Sequence, residues 1–165
     1  MVRLLPIDET KLVDLLRDCE GGLTEICSNR EEATAFLKPL LQVSLDFHRR
    51  VRSRAPWHSY FGIDSDGNRL VGVCSFKGNP NESGTVEISY GTVPGFEGLG
   101  FATEMAAALT EIAIASPEVR HVIAHTLPEE NASGRVLQKI GMRNVGEVMD
   151  PEDGKVWRWE LKRRR

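Results

Sequence analysis

Three glycines, Gly95, Gly98 and Gly100, fall within Pro94-Gly95-Phe96-Glu97-Gly98-Leu99-Gly100-Phe101-Ala102. The segment joins a strand-like run, Thr85 to Val93, to a helix-like run that starts near Ala102. Glycines at such a junction let the chain turn and let a ligand approach bare backbone N–H groups. The helix N-terminus adds further free donors and partial positive charge. The chemistry predicted here is anion binding, with a phosphate group as the ligand. Upstream, Glu87 puts a carboxylate in a strand, where burial is costly unless the charge is paired or used. Strand alternation places Val86, Ile88 and Tyr90 on one face and Glu87, Ser89 and Gly91 on the other. Tyr90 reads as core packing. His125 closes the next strand and is a second candidate base. His48, His58 and His121 stand in no motif.

Two common glycine loops are excluded. A P-loop ends Gly-Lys-Ser/Thr, whereas this loop ends Gly100-Phe101-Ala102 without a lysine. The dinucleotide fingerprint is G-x-G-x-x-G, and Gly95, Gly98 and Gly100 give the reverse spacing. The strand after the loop helix ends in Thr126-Leu127, with no acidic residue to take a ribose hydroxyl.

Coenzyme A is the remaining candidate. Gly98 and Gly100 match the loop Gln/Arg-x-x-Gly-x-Gly/Ala, and further matches follow in order: Glu87-Ile88-Ser89-Tyr90-Gly91, Gly98 to Glu104, His125 to Ser133, and Arg135 to Met142. On these residues the chain, from about Trp57 to its end, resembles the GNAT family of N-acetyltransferases. Within that family it is similar to the branch that includes ribosomal-protein N-terminal acetyltransferases. The resemblance implies acetyl-CoA as cosubstrate, no metal, and a V-shaped cleft where the strands ending at Val93 and Leu127 splay apart. Backbone groups of Thr92 and Val93 would pair with the pantetheine arm. Gly98 and the N–H groups of Leu99, Gly100, Phe101 and Ala102 would hold the pyrophosphate. Two positions depart from the family loop. Gly95 replaces the first Gln/Arg, and Glu97 stands where an arginine is frequent, so binding would rest on the backbone. Arg135 and Lys139 either neutralise the coenzyme or form a solvated helix face.

Acetyl transfer needs a neutral amine, donors for the oxyanion and a proton for the leaving thiolate. The resemblance implies direct transfer in a ternary complex, without a cysteine nucleophile. The tyrosine that serves many family members as acid falls on Leu137. Ser133 is the substitute, or a plain helix cap. Asn131 either holds the pantetheine amides or is itself the cap. Glu87 is the first choice of base, acting directly, through a water or by holding the substrate ammonium; a salt-bridged structural glutamate is the other reading. The acceptor is a primary amine, on a protein N-terminus or a small molecule. Asp150, Glu152 and Asp153 either favour a cationic amine or form a charged turn. A non-catalytic acyl-CoA-binding module on the same fold and a nucleotide-binding protein are the alternatives.

These residues must be positioned by a mixed α/β fold, in the order β-α-α-β-β-β-α-β-α-β-β. The resemblance implies a GNAT-type central sheet of six to seven strands with splayed parallel strands and about four helices. Val2 to Ile7 reads as a strand, and Asp8 caps a helix to about Cys19 that Glu20-Gly21-Gly22 breaks. Asn29 caps a second helix from Arg30 to about Arg54, with a kink or restart at Pro39. Trp57 to Ile63 and Leu70 to Phe76 are strands joined across Asp64 to Asn68. The loop helix stops at Ser116-Pro117, and Arg120 to Leu127 is a buried strand. A helix then ends near Gly141, and Arg143 to Met149 pairs with Lys155 to Leu161.

The 165 residues suit one domain, 1–165, and 41% hydrophobic with 27% charged residues is ordinary for a globular protein. A net charge of −3 argues against a nucleic-acid or anionic-membrane partner. The basic tail, Lys162 to Arg165, reads as a solvated terminus. Three cysteines without a CxxC pair predict neither disulfides nor zinc, and fit a reducing, cytoplasmic location. No apolar run is long enough for a membrane span. Trp157 and Trp159 share one side of the last strand, either as core or as the seal of a homodimer.

Overall fold

The computed structural model describes residues 1–163; Arg164 and Arg165, the end of the basic tail, lie outside the described residues. In chain order the elements are β1 (Val2–Ile7), α1 (Glu9–Arg17), α2 (Cys19–Gly22), α3 (Arg30–Val51), β2 (Ser59–Asp64), β3 (Arg69–Phe76), β4 (Thr85–Thr92), α4 (Phe101–Ala115), β5 (His121–Thr126), α5 (Ala132–Lys139), β6 (Arg143–Asp150) and β7 (Gly154–Lys162). The strands form one seven-stranded sheet in the order β1-β2-β3-β4-β5-β7-β6. This is the mixed sheet that the sequence predicts, with five helices where about four were expected.

The extra helix is α2. Gly21 and Gly22 do not simply break the chain, because Asp18 accepts a hydrogen bond from Gly21 N at 3.0 Å and restarts a single turn. Pro39 likewise fails to divide α3, which runs unbroken for 22 residues and ends at Val51 rather than Arg54. Ala33, Leu37, Leu41 and Leu45 form its buried stripe, and that packing carries the helix past the missing proline N–H. Arg52, left-handed at φ 50, terminates it. Asn29 precedes α3 but makes no side-chain cap. Its amide bridges to β3 instead, accepting from Leu70 N at 2.8 Å and donating to Leu70 O at 3.0 Å.

Helices cover both faces of the sheet. The stripe of α3 packs with Leu12, Leu15, Phe61, Ile63 and Leu70 on one side. On the other, Met105, Ala106, Leu109 and Ala113 of α4 pack with Phe76, Val86, Ile88 and Trp159. Trp159 is thus core, and its Nε1 donates to Thr126 Oγ1 at 3.0 Å. All three cysteines are free and buried, and burial pushes the Cys74 thiol up to about 12. No helix among the described residues is long and apolar enough to cross a membrane.

One irregularity organises the molecule. β4 and β5 are parallel, and they pair only through Thr85↔His121, Val86↔Val122 and Glu87↔Ile123. Beyond that point each strand stays with its outer neighbour. β4 follows β3 to the Gly72↔Thr92 pair, and β5 follows β7 to Thr126↔Trp157. The sheet therefore opens at its centre, and the facing backbone edges of β4 and β5 are left as an edge that an extended ligand can pair with.

Candidate active site

The glycine loop sits at the open end of this cleft. Gly98 and Gly100 have φ of +75° and +90°, a region that favours glycine, and a Cβ built at either would meet nothing within 4 Å. The loop therefore needs glycine for its turn, and the space above it is open. Gly100 is the N-cap of α4 and supplies no side-chain cap, so first-turn N–H groups of the helix remain free donors. Phe96 steadies the loop, packed near Phe101 at 6.1 Å and under the Arg69 guanidinium at 5.2 Å. Glu97, in place of the family's frequent arginine, accepts from Gly95 N at 2.8 Å and so helps hold the bend.

The cleft above the loop encloses about 420 Å³. Thr92, Gly98, Gly100, Phe101 and Ala102 line it, and so do Arg135 and Lys139 of α5. Open space, unfilled backbone donors and two cations suit a coenzyme pyrophosphate. Three other expected contacts lie outside this lining. Leu99 is exposed. Val93 is buried, its N–H donates to Val71 O at 2.8 Å and its carbonyl accepts from Phe96 N at 3.0 Å. Asn131 caps α5, accepting from Gly134 N at 2.9 Å, which assigns the cap to Asn131 rather than Ser133.

The two candidate bases are partners. Glu87 occupies the last β4–β5 pair, and His125 lies two residues beyond its partner Ile123 on the same strand face. Glu87 Oε1 is 2.8 Å from His125 Nδ1 and 3.4 Å from Lys77 Nζ. With an ionised carboxylate, Nδ1 carries the donated hydrogen and Nε2 is the nitrogen left to exchange a proton. Lys77, the residue after β3, completes the cluster.

Ser133 also has a partner. Tyr90 Oη donates to the Ser133 carbonyl at 3.0 Å and lies 3.0 Å from Ser133 Oγ. Both contacts are met when Ser133 Oγ–H donates to the phenol oxygen. Burial pushes the Tyr90 phenol above its ordinary range, against a smaller opposing effect of the Ser133 hydrogen bond, so the hydroxyl stays protonated. Strand alternation put Tyr90 on the core face, and its ring does pack there. Only the approach of α5 turns its hydroxyl into part of the site. Leu137, at the family's tyrosine position, is fully buried.

Tyr90 and Gly91 line both the coenzyme cleft and a second, larger cavity of about 720 Å³ between α3 and the sheet. The acidic turn at its edge is ordered by its own backbone. Asp150 accepts from the N–H groups of Glu152 and Asp153 at 2.8 and 2.9 Å. Those bonds hold its carboxyl below the usual range. Among the described residues, no group of three or more His, Cys, Asp or Glu is arranged to hold a metal ion.

Known proteins share this fold. The sequence profile of the acetyltransferase (GNAT) domain matches residues 12–143. The uncharacterized N-acetyltransferase YnaD of Bacillus subtilis (strain 168) is 37% identical over 62 residues, a match that spans 38% of this chain and 36% of that protein. RimL, a ribosomal-protein alpha-N-acetyltransferase, superposes with a TM-score of 0.68 at 16% identity, covering 98% of this chain and 93% of its own. The aminoglycoside acetyltransferase AAC(6')-Ib in complex with coenzyme A gives 0.67 at 18% identity, covering 99% and 95%. With a matching profile over most of its length, a sheet opened between β4 and β5 and a glycine loop at the mouth, the chain belongs to the GNAT acetyltransferase family.

Proposed function

We propose that the protein is an N-acetyltransferase that moves an acetyl group from acetyl-CoA to a primary amine by direct transfer in a ternary complex. The observation that carries this reading is the hydrogen-bonded Glu87–His125 pair at the base of the β4–β5 opening, with the glycine loop at its mouth. The free edge of β4 near Thr92 would pair with the pantetheine arm. Gly98, Gly100, Phe101 and Ala102 would hold the pyrophosphate through backbone N–H groups, with Arg135 and Lys139 as counter-charges.

The bound coenzyme supplies a thioester whose C–S bond breaks as the C–N bond to the amine forms. His125, oriented by Glu87, takes the proton that the amine must lose, directly or through a water. Ser133, hydrogen-bonded to Tyr90, stands on the coenzyme side as the hydroxyl that would turn from Tyr90 to pass a proton to the leaving sulfur and take one back from solvent water. The buried cysteines take no part, since their thiols are held protonated by burial. A protein N-terminus, as in the ribosomal-protein branch, or a small amine is the acceptor.

The test is release of free CoA thiol from acetyl-CoA across a panel of peptides and small amines. Turnover that falls at least tenfold in Glu87→Gln supports the reading. Tight acetyl-CoA binding with no turnover on any amine would instead favour a non-catalytic acyl-CoA-binding module.

A further inference from the structure

We infer that the acceptor is a small monoamine with an apolar alkyl or aryl-alkyl body, and that the cavity between α3 and the sheet holds that body. This rests on the acetyltransferase reading above and names its substrate class.

The first ground is the cavity wall. The space, about 720 Å³, falls in the range of small-molecule sites. Phe36, Leu37, Leu41 and Phe47 of α3 line one side and Phe61 and Val73 of the sheet line the other. At the lip, Leu40 and Val43 also line the cavity yet remain 40% and 70% exposed. Apolar side chains gathered around an open cavity lose water contact when an apolar ligand enters.

The second ground is charge. A polyamine or aminoglycoside needs several anionic partners for its several cations. Asp46 and Glu152 are the carboxylates that line the cavity, and two cations in the same lining, Arg50 and Lys77, offset them. Asp46 accepts from Gln42 Nε2 at 2.9 Å, and Glu152 lies 4.0 Å from Arg50 Nη2. Arg50 and Lys77 line the same space and repel added positive charge. One amine reaches the coenzyme cleft at the inner end, where Tyr90 and Gly91 line both spaces.

The third ground is shape. Arg50 and Glu152 both line the cavity, and their contact joins the β6–β7 turn to α3 along one edge. That edge favours a compact ligand over a peptide chain passing through.

The test measures kcat/KM with acetyl-CoA for n-alkylamines from propyl to hexyl, for phenethylamine, for spermidine and kanamycin, and for short peptides. Binding of phenethylamine to the CoA-loaded protein is measured separately by calorimetry. The expected result is a rise of about fourfold per added methylene, with spermidine and kanamycin at least tenfold below hexylamine. Val43→Asp, on the exposed lip, should remove most of that rise. A flat alkyl series, or preference for the polycations or the peptides, would overturn this inference and leave the acetyltransferase reading standing. Phenethylamine binding without any turnover would keep the cavity assignment and sink the acetyltransferase reading.

Discussion

Glu87 Oε1 and His125 Nδ1 are 2.8 Å apart, at the point where β4 and β5 stop pairing. Each residue is a plausible base alone. Bonded together they form one unit, in which the carboxylate fixes the imidazole tautomer and stabilises the imidazolium that proton transfer creates. Lys77, 3.4 Å from the same oxygen, limits how much negative charge collects there.

Removing either member should disable the same step. Glu87→Gln and His125→Asn are each expected to lower kcat by about 10²–10⁴-fold, and the double variant by little more than the worse single one. Steady-state kinetics check this, with acetyl-CoA affinity from calorimetry changing less than threefold. Additive losses in the double variant would mean that the two residues act separately.

The Tyr90–Ser133 contact makes a second prediction. Tyr90→Phe keeps the ring and removes both hydrogen bonds, so stability should fall by about 1 kcal/mol. Ser133 is left without its partner, and kcat should fall roughly tenfold or more with KM for acetyl-CoA nearly constant. Because burial raises the Tyr90 phenol, the wild-type pH–rate profile should show no alkaline loss from this group below about pH 10. Unchanged kcat in both Tyr90→Phe and Ser133→Ala would remove this pair from the chemistry.

At the loop, Gly98→Ala meets open space but a φ of +75°. The strain should cost about 1–2 kcal/mol, or a fall in Tm of a few degrees. Acetyl-CoA should bind at least tenfold more weakly, since the backbone must leave its turn or the new methyl must stand where the ligand approaches. Calorimetry and thermal melts read the two effects separately.

His58 gives a pH dependence of stability. Burial, with a smaller contribution from the nearby His48, lowers its folded-state pKa below the ordinary value. The unfolded chain therefore binds the proton more readily. Stability from neutral His58 is fully present above about pH 6.5 and is lost as the pH falls through the depressed folded-state value. Melts of wild type and His58→Gln between pH 7.5 and 5 should converge as the pH falls. Parallel curves would contradict the assignment.

The sequence by itself determined the order of the strands and most helices, the glycine loop and the family. Those features are local: a turn that needs positive φ, an alternation or a helical stripe is written in neighbouring residues. Where the reading failed, longer contacts had overridden local preference. The buried stripe of α3 outweighed Pro39, and Asn29 was drawn from its cap to Leu70, 41 positions away. The site followed the same division. Glu87, His125 and Ser133 were legible as candidates because their residue types suit proton transfer. That Glu87 and His125 touch and that Tyr90 reaches Ser133 were decided by tertiary structure alone. Each depends on how far two parallel strands stay paired before they part, and that is set by the packing of the whole sheet.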